Sequence, residues 1–172
     1  MIFEKLCLEA FDERNISKDI HEMNDHIKSL LVNAPPSHEI PFEVLQEIRR
    51  KGGGLLESQP YSEKAENRLI NYDNKKVTIR IFNHDSPNFV YLHIHGGGHC
   101  IGAADMQDQS LEKISNDLNC VVVSVEYRLA PVNPYPAAPD DCEAAAIWLI
   151  ENSKGQFNTE KIVIGGESAG AN

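Results

Sequence analysis

The chain has 172 residues, 41% of them hydrophobic and 24% charged, with a formal net charge of −10. That length suits one domain with a real core and is short for two, and the excess of acid argues against a nucleic-acid partner, which is held through Lys and Arg. Cys7, Cys100, Cys120 and Cys142 are scattered without a C-x-x-C pair or metal-ligand spacing. No apolar run is long enough to span a bilayer, and acids occupy the first dozen residues, so the expectation is a cytoplasmic protein with reduced thiols, no metal and no signal peptide.

Residues 1–56 read as a helical segment. Ile20, Met23, Ile27, Leu30 and Leu31 follow the three-and-four spacing of one helix face, with Ser17 as a candidate N-cap and Pro35-Pro36 as the stop. A shorter helix can start at Pro41, carry Phe42, Leu45 and Ile48 on one side, and end at Gly52-Gly53-Gly54, a candidate domain boundary.

From residue 57 the period changes to that of strands. Val77-Thr78-Ile79-Arg80-Ile81 alternates, which predicts a half-exposed strand. The near-continuous apolar runs Phe89–Ile94 and Cys120–Val125 suit strands covered on both faces. A crossover helix is expected over Met106–Leu118, and an alanine-rich helix after Asp140-Asp141. A last strand over Lys161–Gly165 leads into Gly166-Glu167-Ser168-Ala169-Gly170. Strand and helix alternate, so the expected fold class is α/β with a mostly parallel sheet and flanking helices.

Two stretches carry chemistry. Gly166-Glu167-Ser168-Ala169-Gly170 fits the G-x-S-x-G nucleophile elbow, where a sharp strand-to-helix turn holds a serine out of the backbone and the glycines keep neighbouring chain from colliding. Its position directly after an apolar strand is the context that the motif needs. His95-Gly96-Gly97-Gly98 follows another strand and is the loop type whose backbone N–H groups stabilise an oxyanion, with Gly97, Gly98 and Ala169 as the expected donors. A phosphate-binding loop fits poorly, because neither G-x-G-x-x-G nor Gly-Lys-Ser/Thr is present. Among nearby histidines, His95 is expected to lock the loop by hydrogen bonding, His93 to share a buried strand face with Tyr91, and His99 to line the pocket. None is expected to serve as the base.

With both motifs and the stretch Tyr127-Arg128-Leu129-Ala130-Pro131 through Tyr135-Pro136-Ala137-Ala138-Pro139-Asp140-Asp141, residues 77–172 resemble the hormone-sensitive-lipase-like branch of the α/β-hydrolases. The resemblance implies a cofactor-free hydrolase of carboxylic esters with short-to-medium acyl groups, Ser168 as nucleophile, and the N-terminal helices as part of a cap. Asp140 and Asp141 lie outside its catalytic set and are expected to cap a helix and pair with Arg128. Glu167 stands where the family more often has Asp, a one-methylene change of small expected consequence. In the family the triad acid and histidine follow the serine, whereas here only Ala169 to Asn172 do, so a fragment inactive alone is expected. A non-catalytic small-molecule-binding protein and a peptidase or amidase remain the alternatives.

Overall fold

The computed structural model describes residues 12–32, 34–52 and 60–172. Cys7, Gly53, Gly54 and the expected boundary after residue 56 lie outside the described residues. Helix α1 spans Lys18–Leu31 and α2 spans Phe42–Arg50. Ser17 occupies the expected N-cap position, but its side chain makes no capping bond; its carbonyl instead accepts from the Ile20 and His21 N–H groups. Pro41 precedes α2, where a missing N–H costs nothing. The apolar stripe of α1 is open to solvent at Ile20, Met23, Leu30 and Leu31, and neither helix contains a buried residue.

Five strands form one sheet in the order β1 (Glu66–Tyr72), β2 (Lys75–Phe82), β4 (Val121–Glu126), β3 (Val90–Ile94), β5 (Ile162–Gly166). Strands β4, β3 and β5 run parallel, as strands joined by helices must; β3 and β4 are largely buried, whereas Val163 and Ile164 of β5 are exposed. The hairpin β1–β2 adds an antiparallel flank, so the sheet is mixed. Its two-residue loop, Asp73-Asn74, has φ of +45° and +62°, the turn that matches the twist of paired strands.

Helix α3 (Asp108–Leu118) and helix α4 (Ala137–Phe157) cover the sheet. Ile79, Ile81, Leu92, Val121, Val123 and Val125 pack with Ala144, Ala145 and Leu149 of α4. Phe82, Cys120 and Val122 pack with Leu111 of α3. Alternate residues of β4 thus enter different clusters, the strand period expressed as two layers.

Strand β2 is not half-exposed. It lies between β1 and β4, and Arg80 is 1% exposed. A charge survives there because Asp108, itself fully buried, accepts from Arg80 Nε at 2.7 Å and Nη2 at 2.5 Å. Tyr61, Ser62 and Asn67 supply acceptors for the remaining guanidinium protons. Asp141 takes Arg128 in a bidentate pair at 2.8 Å per bond, as expected, whereas Asp140 lies 3.5 Å from Lys75. Neither aspartate caps α4, which follows Pro136.

Candidate active site

Strand β5 ends at Gly166, and the chain turns sharply at Ser168, whose φ of +54° lies in the left-handed region. A short 3-10 turn over Ser168–Ala171 follows. A non-glycine residue in that region costs of order 1–2 kcal/mol, so the surrounding chain must hold it. The two elbow glycines permit the turn to press on β3: a Cβ at Gly166 would lie 2.4 Å from the Ile94 carbonyl oxygen, and one at Gly170 only 2.0 Å from it.

The glycine loop leaves β3 at Ile94, the residue paired with Gly166 across the parallel ladder. Both motifs therefore emerge at the carboxyl ends of neighbouring strands, where open α/β sheets present their ligands. Gly96 meets the elbow directly, for a Cβ there would sit 2.9 Å from the Glu167 carbonyl oxygen and 3.3 Å from Ser168 Cβ. Gly97 and Gly98 follow with φ of +120° and +63°, and the Gly97 carbonyl closes the loop by accepting from Cys100 and Ile101 N–H.

Glu167 joins these pieces. Its Oε1 accepts from the Gly96 N–H at 2.6 Å and from Gln107 Nε2, while Oε2 accepts from His93 Nε2 at 2.9 Å. Burial works to raise its pKa, but the Gly96 N–H, His93 and Gln107 together hold the carboxyl below the usual glutamate value. His93 Nδ1 in turn lies 2.9 Å from Ser124 Oγ on β4. Sequence reasoning placed His93 correctly beside Tyr91 on one strand face, with ring centroids 6.0 Å apart, but missed its bond to the elbow. The contact spans 74 residues of chain, and no local pattern encodes it.

His95 locks the loop, as expected. Its Nδ1 donates to the Gly96 carbonyl at 2.7 Å, and its ring stacks on Tyr127 with centroids 4.1 Å apart. The Tyr127 hydroxyl donates to the His95 carbonyl at 2.7 Å. Burial pushes the imidazole pKa down to about 4, so the ring is neutral near pH 7. His99 sits edge-on to Tyr127, with centroids 5.9 Å apart. From the N-terminal segment, Gln46 Nε2 donates to the Cys100 carbonyl at 3.1 Å, and Arg50 pairs with Asp105 at 3.2 Å.

A polar cavity of about 140 Å³ is lined by Arg50, Asn67, Thr78, Arg80, Ala104, Asp105 and Glu126, and includes none of the predicted site residues. Among the described residues, no group of three or more His, Cys, Asp or Glu side chains is placed to hold a metal, and no helix is long and apolar enough to cross a membrane.

Comparison with known proteins bears on the fold. Residues 91–172 match the family model described as the alpha/beta hydrolase fold. The chain is 35% identical to an arylesterase of Saccharolobus solfataricus over 134 residues, 74% of this chain and 44% of that protein. It is equally 35% identical to carboxylesterase NlhH of Mycobacterium tuberculosis over 116 residues, 63% of this chain and 36% of that one. A solved arylesterase superposes with a TM-score of 0.67 at 27% identity, over 90% of this chain and 50% of that structure. A hyperthermophilic esterase from Pyrobaculum calidifontis gives 0.71 at 23% identity, which speaks to the fold alone. The chain spans half or less of the length of these relatives. This is accordingly a chain of the α/β-hydrolase fold whose similarity lies with the carboxylesterases and arylesterases.

Proposed function

We propose that this chain carries the nucleophile and oxyanion half of a site that hydrolyses carboxylic esters of short-to-medium acyl groups through an acyl-enzyme. The observation that carries the reading is the contact of Gly96 with Ser168, which puts the glycine loop against the serine on its strained turn. In this mechanism Ser168 Oγ attacks the ester carbonyl and its proton passes to a general base. The N–H groups of Gly97, Gly98 and Ala169 hold the resulting oxyanion, worth several kcal/mol in such sites. Collapse expels the alcohol, and water then attacks the acyl-serine and releases the acid.

Of the histidines near the serine, His93 is held on both ring nitrogens by Ser124 and Glu167, and His95 is turned to the Gly96 carbonyl through Nδ1. His95 Nε2 and His99 Nδ1 are buried without a hydrogen-bond partner among the described residues, and none of the three rings is bonded to Ser168. In this reading the base and its carboxylate partner come from outside these 172 residues; in the chain alone the serine proton passes to solvent water, so Ser168 acylates slowly and does not turn over. The bonds from Gln46 and Arg50 to the segment after the glycine loop support a role for the N-terminal helices as a cap.

Incubation with p-nitrophenyl butyrate tests the reading. It predicts slow release of about one p-nitrophenolate per chain, matched by one butyryl group on Ser168, with none in Ser168→Ala. No acylation, or acylation that survives Ser168→Ala, overturns the assignment. Sustained turnover lost in Ser168→Ala overturns the location of the base alone.

A further inference from the structure

We propose that Glu167 is a positioning residue that fixes the oxyanion loop against the nucleophile, taking the Gly96 N–H for itself so that Gly97 and Gly98 are left as the loop's donors. The proposal rests on the acyl-transfer reading of Ser168 and adds to it the residue that sets the distance between the site's two halves.

The carboxylate stands one residue before the strained serine, and its two oxygens reach three separate parts of the fold. Oε1 accepts from Gly96 N–H, the first glycine of the loop, and from Gln107, which directly precedes α3; Oε2 accepts from His93 on β3. Through His93 the chain of contacts continues to Ser124 on β4. A single side chain therefore references the elbow to β3, the loop and the approach to α3. Charge-assisted bonds of this kind are about twice as strong as neutral ones, and the Gly96 bond is short, at 2.6 Å.

Packing does not explain the residue. The Glu167 side chain is 45% exposed, so its removal opens no core cavity, whereas its bonding partners His93 and Gly96 belong to the strand and loop that present the site. Hydrogen-bond arithmetic points the same way. An N–H that already donates to a carboxylate is unavailable to a developing oxyanion, so Gly96 serves as the hinge of the loop. The ionisable groups around the carboxylate are His93, Tyr91 and His95, from β3 and its exit, and Tyr127, which follows β4. His93 bonds it directly; the other three act at longer range.

The test uses the ¹⁵N-labelled 172-residue chain and its Glu167→Gln, Glu167→Ala and Glu167→Asp variants. The expected result is a Gly96 amide proton shifted strongly downfield in the wild type and upfield in Glu167→Gln and Glu167→Ala. Its hydrogen exchange should accelerate roughly tenfold or more, the loss of one hydrogen bond to a charged group. Phosphonylation of Ser168 by a fluorophosphonate should slow by a similar factor, roughly tenfold, while far-UV circular dichroism is unchanged and Glu167→Asp restores part of both signals. A Gly96 amide that is indifferent to Glu167→Gln, or an unchanged phosphonylation rate, overturns the proposal. Should the Glu167 variants fail to fold, Gln107→Ala decides: removal of the competing donor strengthens the Gly96 bond and moves its proton further downfield, and an unmoved proton rejects the role. Absence of any Ser168 adduct in the wild type defeats the acyl-transfer reading instead, and the Gly96 amide still reports on Glu167.

Discussion

Gly96 faces Ser168 so closely that the smallest side chain at position 96 would place its Cβ 3.3 Å from the serine Cβ and 2.9 Å from the Glu167 carbonyl oxygen. Backbone on one side and an immobile strained residue on the other leave neither neighbour free to retreat. Gly96→Ala is therefore expected to push the glycine loop away from the elbow while leaving the sheet intact. Phosphonylation of Ser168 should fall by about 10²-fold, the order of the loss on removing an oxyanion donor. Stopped-time mass spectrometry with far-UV circular dichroism as the folding control checks this, and an unaltered rate would mean that the contact does not shape the site.

The backbone of Ser168 offers a separate test. Its φ of +54° is strained for serine and comfortable for glycine. Ser168→Gly is expected to be more stable to urea than Ser168→Ala by about 1 kcal/mol, although neither can form an adduct. Equal stabilities of the two variants would show that the turn carries no strain.

Arg80 and Asp108 illustrate what was and was not legible in the sequence. The alternation around Arg80 correctly announced a strand, but an arginine at an outward-reading position gave no sign that it would be buried. Its partner lies 28 residues away at the start of a helix, and only the assembled layers bring them together. Strand β1 was missed because Glu66–Tyr72 interleaves Asn, Arg and Glu with few apolar residues; the positive-φ Asp73-Asn74 turn was its one local signal. The role of Glu167 was invisible for the same reason, since its partners come from His93, Gly96 and Gln107. By contrast, the buried strands β3 and β4, the elbow and the glycine loop are written locally, in apolar runs and in glycines that a close backbone approach requires.

For the buried pair itself, removal of one partner should cost far more than removal of both. Asp108→Leu strands an uncompensated guanidinium in the core and is expected to destabilise by about 3–5 kcal/mol. The double variant Arg80→Met with Asp108→Leu should recover most of that loss. A double-mutant cycle by urea unfolding measures the coupling, and additive losses would contradict it.

Acid stability should carry the signature of His95. Its pKa is depressed to about 4 in the fold by burial, against 6.5 for the free side chain. The folded state therefore favours the neutral ring: this stabilisation is fully present above pH 6.5, is lost progressively as pH falls from there through about 4, and is constant below. Between pH 7 and pH 5 the loss attributable to His95 amounts to about 2 kcal/mol. Between the two pH values, the unfolding free energy from urea titration should fall by about 2 kcal/mol less in His95→Gln than in the wild type. An identical pH response in both proteins would exclude a buried neutral imidazole.

The central claim is that Ser168 is a nucleophile held beside an oxyanion loop, and peptide mapping after exposure to a fluorophosphonate addresses it most directly. Attack by Ser168 Oγ forms the O–P bond and expels fluoride, so one adduct mass on the peptide containing Ser168, and none in Ser168→Ala, is the result expected. Modification spread over other hydroxyls with Ser168 untouched would contradict the account.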